Sequence, residues 1–137
     1  MPVFKKPRPI PYALRDKIEQ EINRLEKAEI LEPVKSSQWA TPLVPVLKAN
    51  GEIRLCGDFK VTVNPCLEIH RHPIPRLSDL STKLAGGKIF SKLDMNQAYQ
   101  QVLVDNESKQ LLVLSTHEGL YACNRLMYGV ASAPGLL

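Results

Sequence analysis

A chain of 137 residues with a 44% apolar share is one domain or part of a larger one, and it carries too much apolar material for wholesale disorder. Its net charge of +4 and pI near 9.0 point weakly to an anionic partner. Cys56, Cys66 and Cys123 form no CxxC pair and give no disulfide framework, no apolar run reaches the roughly 18 residues of a membrane span, and Met1-Pro2-Val3-Phe4-Lys5-Lys6 lacks a signal peptide's apolar core, so the expectation is an intracellular, cytoplasmic protein that is neither secreted nor membrane-bound.

Lys5 to Pro11 is basic and Pro-rich, which predicts an extended lead-in. From about Tyr12 to Glu29, Leu14, Ile18, Ile22, Leu25 and Ala28 step by three or four with charges between them, the period of an amphipathic helix that Pro33 is expected to end. Trp39 to Leu47 reads as a strand, but Pro42 and Pro45 demote it to a sheet edge or an irregular strand. Ala49-Asn50-Gly51 is a turn and Glu52 to Cys56 a second strand. A three-residue loop with Gly51 left-handed pairs Leu47 with Ile53 and Pro45 with Leu55, leaving Lys48 and Arg54 on the opposite face. A two-residue Asn-Gly loop would instead mix the faces.

A short helix is expected between Pro73 and Leu84, with Leu77, Leu80 and Leu84 on one side and Gly86-Gly87 beyond its end. Ile89 to Leu93 reads as a strand, Met95 to Ala98 as a turn and Tyr99 to Val104 as another strand. Leu111 to Ser115 and Leu120 to Asn124 form a hairpin around Thr116-His117-Glu118-Gly119. Gly129 to Pro134 is suited to starting a helix. His70 and His72 have no acidic or thiol partner near them in sequence and make no convincing metal site. Asp105 and Glu107 read as solvated charges in a turn.

Five blocks carry a more specific signal. Phe90-Ser91-Lys92-Leu93-Asp94 with Gln97-Ala98-Tyr99-Gln100-Gln101 resembles the first catalytic motif of reverse transcriptases from gypsy-class LTR retrotransposons. Ser37 to Pro42, Arg54 to Lys60, Pro73 to Arg76 and Tyr128 to Pro134 resemble the same family in the same order. The resemblance runs from about Lys6 to the last residue.

It implies an α+β fold, the right-hand polymerase fold, here fingers plus a truncated palm. Residues 1–70 would be lead-in and fingers, 71–102 the first part of the palm, 103–128 the second part of the fingers, and 129–137 the start of a palm helix. The implied activity is RNA-directed DNA polymerisation within a pol polyprotein, on an RNA or DNA template with a DNA primer and deoxynucleoside triphosphates. A virus-like particle or the nucleus is a compatible location.

Such nucleotidyl transfer uses two Mg²⁺ ions about 3.5–4 Å apart, with Mn²⁺ a possible substitute, and hard cations of this kind need convergent oxygens. The resemblance makes Asp94 a catalytic metal ligand, helped by the backbone carbonyl of Met95. It places Tyr99 under the incoming sugar, where its ring would exclude a 2′-hydroxyl. Lys48 and Arg54 would grip the triphosphate, although two solvated charges on a sheet have the same pattern. Tyr128 and Gly129 would lie against the nascent base pair, the glycine admitting close backbone approach. Asp58 and Lys60 would support fingers and template, or serve only the fold.

The family's Tyr-x-Asp-Asp segment, with the remaining carboxylates, does not occur before Leu137, so these residues alone are expected not to polymerise. An exposed apolar surface around Asp94 is expected for the same reason. Met127, Ala122 and Leu137 depart from the family's usual Pro, polar or basic residue, and Phe. Rival readings are a non-enzymatic nucleic-acid-binding remnant and a decayed retroelement product.

Overall fold

A computed structural model describes residues 1–68 and 73–136. His70, His72 and the 70/71 boundary lie outside them, as does Leu137. The lead-in is extended and is fastened to the body: Lys5 N–H donates to the Ala40 carbonyl at 2.9 Å, Ala40 N–H to Val3 at 3.1 Å, and the Ser115 hydroxyl to the Lys5 carbonyl at 2.8 Å. A 3₁₀ turn at Tyr12–Leu14 then leads into α1, Arg15–Lys27. Ile18, Ile22 and Leu25 of α1 are buried, as their spacing requires.

The helix ends earlier than expected, and Pro33 is not what stops it. Ala28 caps it by donating to the Arg24 carbonyl, and Glu29 turns the chain with φ of 60°. Pro33 instead lies inside a strand missed in the sequence, β1, Leu31–Val34. β2 spans Thr41–Leu47, β3 Ile53–Gly57, β4 Val113–Thr116 and β5 Gly119–Cys123, and the sheet order is β1-β5-β4-β2-β3. Asn124 N–H donates to the Ile30 carbonyl, so by alternation the N–H that Pro33 lacks would have pointed outward from the edge, where proline is tolerated.

β2 is not the edge its prolines suggested. It lies between β4 and β3, antiparallel to β3 along its length and parallel to β4 only at Thr41 and Pro42. The same alternation explains this: Lys48 N–H donates to the Glu52 carbonyl at 2.8 Å, so Pro45 would have donated away from β3, on the side where the β4 ladder has already ended. The β2–β3 register is Leu47 with Ile53 and Pro45 with Leu55, closed by the three-residue loop with Gly51 at φ +86°. That agrees with the parity argument.

The sheet face shared by Leu31, Tyr121, Cys123, Leu114, Leu43, Ile53 and Leu55 packs with Ile18, Ile22 and Leu25 of α1, and with Phe59 and Met127, to form the core. Burial pushes the Cys123 thiol up to about 12 and raises the Tyr121 hydroxyl.

The rest of the chain is looser. α2, Leu77–Leu84, buries no residue. The strand expected at Ile89 to Leu93 is absent: this stretch has no regular structure, with Ile89 93% and Leu93 94% exposed. An apolar run becomes a strand only beside another strand, and none of the described strands runs along it. The strand expected at Tyr99 to Val104 is also corrected. A 3₁₀ turn occupies Ala98–Gln101, and only residues 102–104 pair with 124–126, through Leu126 N–H to Val102 O at 2.9 Å and Val104 N–H to Asn124 O at 3.0 Å. After α3, Asn106–Lys109, the expected β4–β5 hairpin forms, but with a tighter turn: Thr116 and Gly119 pair within the ladder and only His117 and Glu118 form the loop. Gly129 to Pro134 leads only to a 3₁₀ turn at Ala133–Leu136.

Candidate nucleotide and nucleic-acid interface

Three of the sequence-derived site residues meet, although they come from separate segments. Arg54 sits on β3 on the face away from α1, opposite Val46. Its guanidinium carbon lies 4.4 Å from the centre of the Tyr128 ring. Tyr99 meets the same ring edge-on, with centroids 5.0 Å apart and planes at 68°. The pairing of residues 102–104 with 124–126 brings the two tyrosines together.

The Tyr128 backbone is held just as firmly. Its carbonyl accepts from Gly57 N–H at 3.1 Å, and Asn64 braces the next residues, donating to the Gly129 carbonyl at 2.9 Å and accepting from Ala131 N–H at 2.8 Å. Gly129 has φ of +105°, and a Cβ there would fall 2.1 Å from the Gly57 carbonyl oxygen. The sequence reading assigned this glycine to an approach by nucleic acid. Within the fold, its missing side chain is already required by β3.

Arg54 bears an unmet demand. Its Nε is buried without a hydrogen-bond partner, and no ion pair among the described residues involves it. Leaving such a donor unfilled costs about 1–3 kcal/mol, which a cation–π contact of about 0.5–2 kcal/mol only partly offsets. Lys48 lies just past the end of β2 and pairs with Glu52 at 3.6 Å. It lines an open cleft of about 580 Å³ between α1 and the hairpin, together with Lys17, Arg24, Glu21 and Gln97.

Asp94 is exposed and has no hydrogen bond or ion pair among the described residues. Met95 beside it is exposed as well. The following turn is strained and braced: Gln97 has φ of 49°, and Gln101 Nε2 donates to the Asn96 carbonyl at 2.6 Å. Among the described residues, no group of three or more metal-ligating side chains includes Asp94, so these residues do not by themselves fit a two-ion Mg²⁺ centre.

Asp58 pairs with Arg8 of the lead-in, a partner fifty residues away that no local pattern announces. Lys60 is exposed on the 3₁₀ turn Phe59–Val61. Asp105 is not merely solvated: it caps α3 by accepting from Ser108 N–H at 2.7 Å, and that bond holds its carboxyl below its ordinary range.

Among the described residues, one group has the donors for a metal, Glu19, His117 and Glu118, with ligand atoms within 4.8 Å of one another. It reads better as a fastener between α1 and the β4–β5 turn. His117 Nε2 lies 2.9 Å from Glu19 Oε1, and Arg15 donates to that same oxygen at 3.3 Å. A metal on Nε2 would force the proton onto Nδ1, which is buried with no acceptor.

No protein-family model matches the chain. Over 136 residues it is 38% identical to an uncharacterized Caenorhabditis elegans protein, covering 98% of this chain and 11% of that one. It is 31% identical over 139 residues to the retrovirus-related Pol polyprotein from transposon 412 of Drosophila melanogaster, covering 97% of this chain and 11% of that protein. A transposon polyprotein of Schizosaccharomyces pombe matches at 29% over 126 residues, 92% of this chain and 9% of that one. The chain thus spans about a tenth of the length of these relatives. Among solved structures, a prototype foamy virus protease–reverse transcriptase superposes with a TM-score of 0.82 at 24% identity, over 98% of this chain and 18% of that one. The foamy viral enzyme in complex with double-stranded DNA gives 0.81 at 20% identity, over 99% of this chain and 24% of that one. The mixed α and β fold is therefore that of a region of a protease–reverse transcriptase, and the sequence relatives include Pol polyproteins of transposons.

Proposed function

We propose that these residues are the fingers and first part of the palm of an RNA-directed DNA polymerase from a gypsy-class LTR retrotransposon. The meeting of Arg54, Tyr99 and Tyr128 carries the reading, because three blocks distant in sequence converge only in the fold. The Pol polyprotein relatives and the foamy virus fold support it. In this reading residues 1–70 and 103–128 form the fingers, and residues 71–102 with 129–137 belong to the palm.

Each residue then has a task. Arg54, with Lys48 of the same hairpin, takes the triphosphate of an incoming deoxynucleotide, the guanidinium by bidentate contact. Tyr99 lies under the sugar and excludes a 2′-hydroxyl. Tyr128 and Gly129 back the nascent base pair. Lys60 meets the phosphates of the template strand, and Asp58 orders the lead-in through Arg8. Asp94, with the Met95 carbonyl, contributes oxygen ligands to a Mg²⁺ or Mn²⁺ centre that needs further carboxylates. These 137 residues alone are therefore catalytically incomplete. The partners are an RNA or DNA template with a DNA primer, and the rest of the polyprotein.

Fluorescence anisotropy with a labelled RNA/DNA hybrid tests the nucleic-acid part. Binding should weaken linearly on a log–log salt plot, and Lys60→Ala should reduce the slope by about one. Salt-independent binding, or none, contradicts the reading. The basic balance of the chain, +4, is compatible with a second reading, a nucleic-acid-binding remnant without catalysis, which predicts the same salt slope and no primer extension in any longer form of the protein.

A further inference from the structure

Tyr128 occupies a place that neither the base-pair role nor core packing explains. Its ring touches two side chains proposed for opposite ends of the nucleotide: the guanidinium of Arg54 at 4.4 Å and the ring of Tyr99 at 5.0 Å. Its backbone is registered to Arg54's own strand, because the Tyr128 carbonyl accepts from Gly57 N–H, three residues along β3 from Arg54. Gly129 fixes that register by its close approach to the Gly57 carbonyl. The main chain that carries the ring is therefore held in register with Arg54's strand.

We propose that Tyr128 is a positioning residue that joins Arg54 and Tyr99 into one aromatic–cationic unit, so that phosphate grip and sugar exclusion depend on each other. The proposal rests on the reading of Arg54 and Tyr99 as nucleotide contacts and adds the device that couples them. Contact with the ring face restrains the guanidinium without using its hydrogen-bonding edge, and no ion pair among the described residues occupies that edge. The T-shaped contact of Tyr99 with the same ring limits how far the sugar-side ring can withdraw. A 2′-hydroxyl that displaced Tyr99 would therefore disturb Tyr128 and, through it, Arg54.

The test uses the 137-residue chain and two readouts. In NMR spectra, the Arg54 Nε–H should be shifted by the ring current and protected from exchange in the wild type and in Tyr128→Phe. Both signatures should be lost in Tyr128→Leu, with Tyr128→Met as the substitute should the leucine variant not fold. In titrations with thymidine triphosphate, Tyr128→Phe should retain binding, and Tyr128→Leu should weaken it about fivefold. Arg54→Gln should weaken it too, and adding Tyr128→Leu to Arg54→Gln should cost clearly less than Tyr128→Leu does alone. Tyr128→Leu should also narrow the preference for deoxy- over ribonucleoside triphosphate. An equal Tyr128→Leu effect with and without Arg54, or an unmoved Arg54 resonance, overturns the coupling. If Arg54→Gln weakens binding while Tyr128→Leu does not, only this inference fails. If the wild type binds no triphosphate, the underlying site reading fails with it.

Discussion

Gly129 and Gly51 both lie at positive φ, +105° and +86°, yet only one is crowded, and that contrast yields a sharp prediction. At Gly51 nothing lies within 4 Å of an added Cβ, so Gly51→Ala should cost only the left-handed strain of an L-residue, about 1–2 kcal/mol. At Gly129 the same strain applies, and the Cβ would also fall 2.1 Å from the Gly57 carbonyl oxygen and 3.3 Å from Phe59 Cδ2. Backbone must then move against backbone by about an ångström, opening the 3.1 Å bond from Gly57 N–H to the Tyr128 carbonyl. A buried backbone group left unpaired adds about 1–3 kcal/mol, so Gly129→Ala should cost about 2–5 kcal/mol of a total near 5–15 kcal/mol. Urea unfolding followed by the fluorescence of Trp39, the single tryptophan, measures both variants. With slopes of about 1–3 kcal/mol per molar, the Gly129→Ala midpoint should fall at least about 0.7 M below the wild type. Equal costs for the two alanines would refute the packing argument and return Gly129 to a purely ligand-facing role.

Three further outcomes follow from contacts elsewhere. Thr41 and Thr62 share a buried hydroxyl bond of 2.6 Å, so Thr41→Val should cost about 1–3 kcal/mol in the same urea assay, and Thr41→Val with Thr62→Val should recover most of it. Glu19 is held below its ordinary 4.5, chiefly by the hydrogen bond from His117 and then by that from Arg15. Its contribution is therefore present above 4.5 and lost as the pH falls through the lower folded value; Glu19→Gln should flatten the acid limb of the stability–pH curve, and an unchanged limb would deny the fastener. Cys66 is exposed whereas Cys123 is buried with its thiol pushed to about 12, so a thiol reagent at neutral pH should label Cys66 rapidly and Cys123 only on unfolding.

What could be read from the sequence divides along physical lines. The α1 face and both hairpins were legible because period and turn chemistry are local, and the Leu47–Ile53 register followed from parity alone. β1 was missed because four residues containing Pro33 carry no pattern; only pairing with β5 makes them a strand. β2 was misplaced because the penalty of proline depends on which side its missing N–H would face. Ile89 to Leu93 has strand composition but no strand beside it, so composition overstated it. Arg54, Tyr99 and Tyr128 were each legible as candidates from their blocks, but their mutual contact was not. It depends on residues 102–104 pairing with 124–126, a tertiary event. The tie of Asp58 to Arg8 and the Glu19–His117 fastener had no local signal at all.

The central claim, that these residues are part of a reverse transcriptase, is tested most directly by primer extension on poly(rA)/oligo(dT) with Mg²⁺. The 137-residue chain should be compared with the longer reading frame that contains it, each with and without Asp94→Asn. Because Asp94 is exposed and unpaired among the described residues, the substitution should leave stability within about 0.5 kcal/mol. The account predicts extension only by the longer protein and its loss in Asp94→Asn. Extension that survives Asp94→Asn, or none by the longer protein, would contradict it.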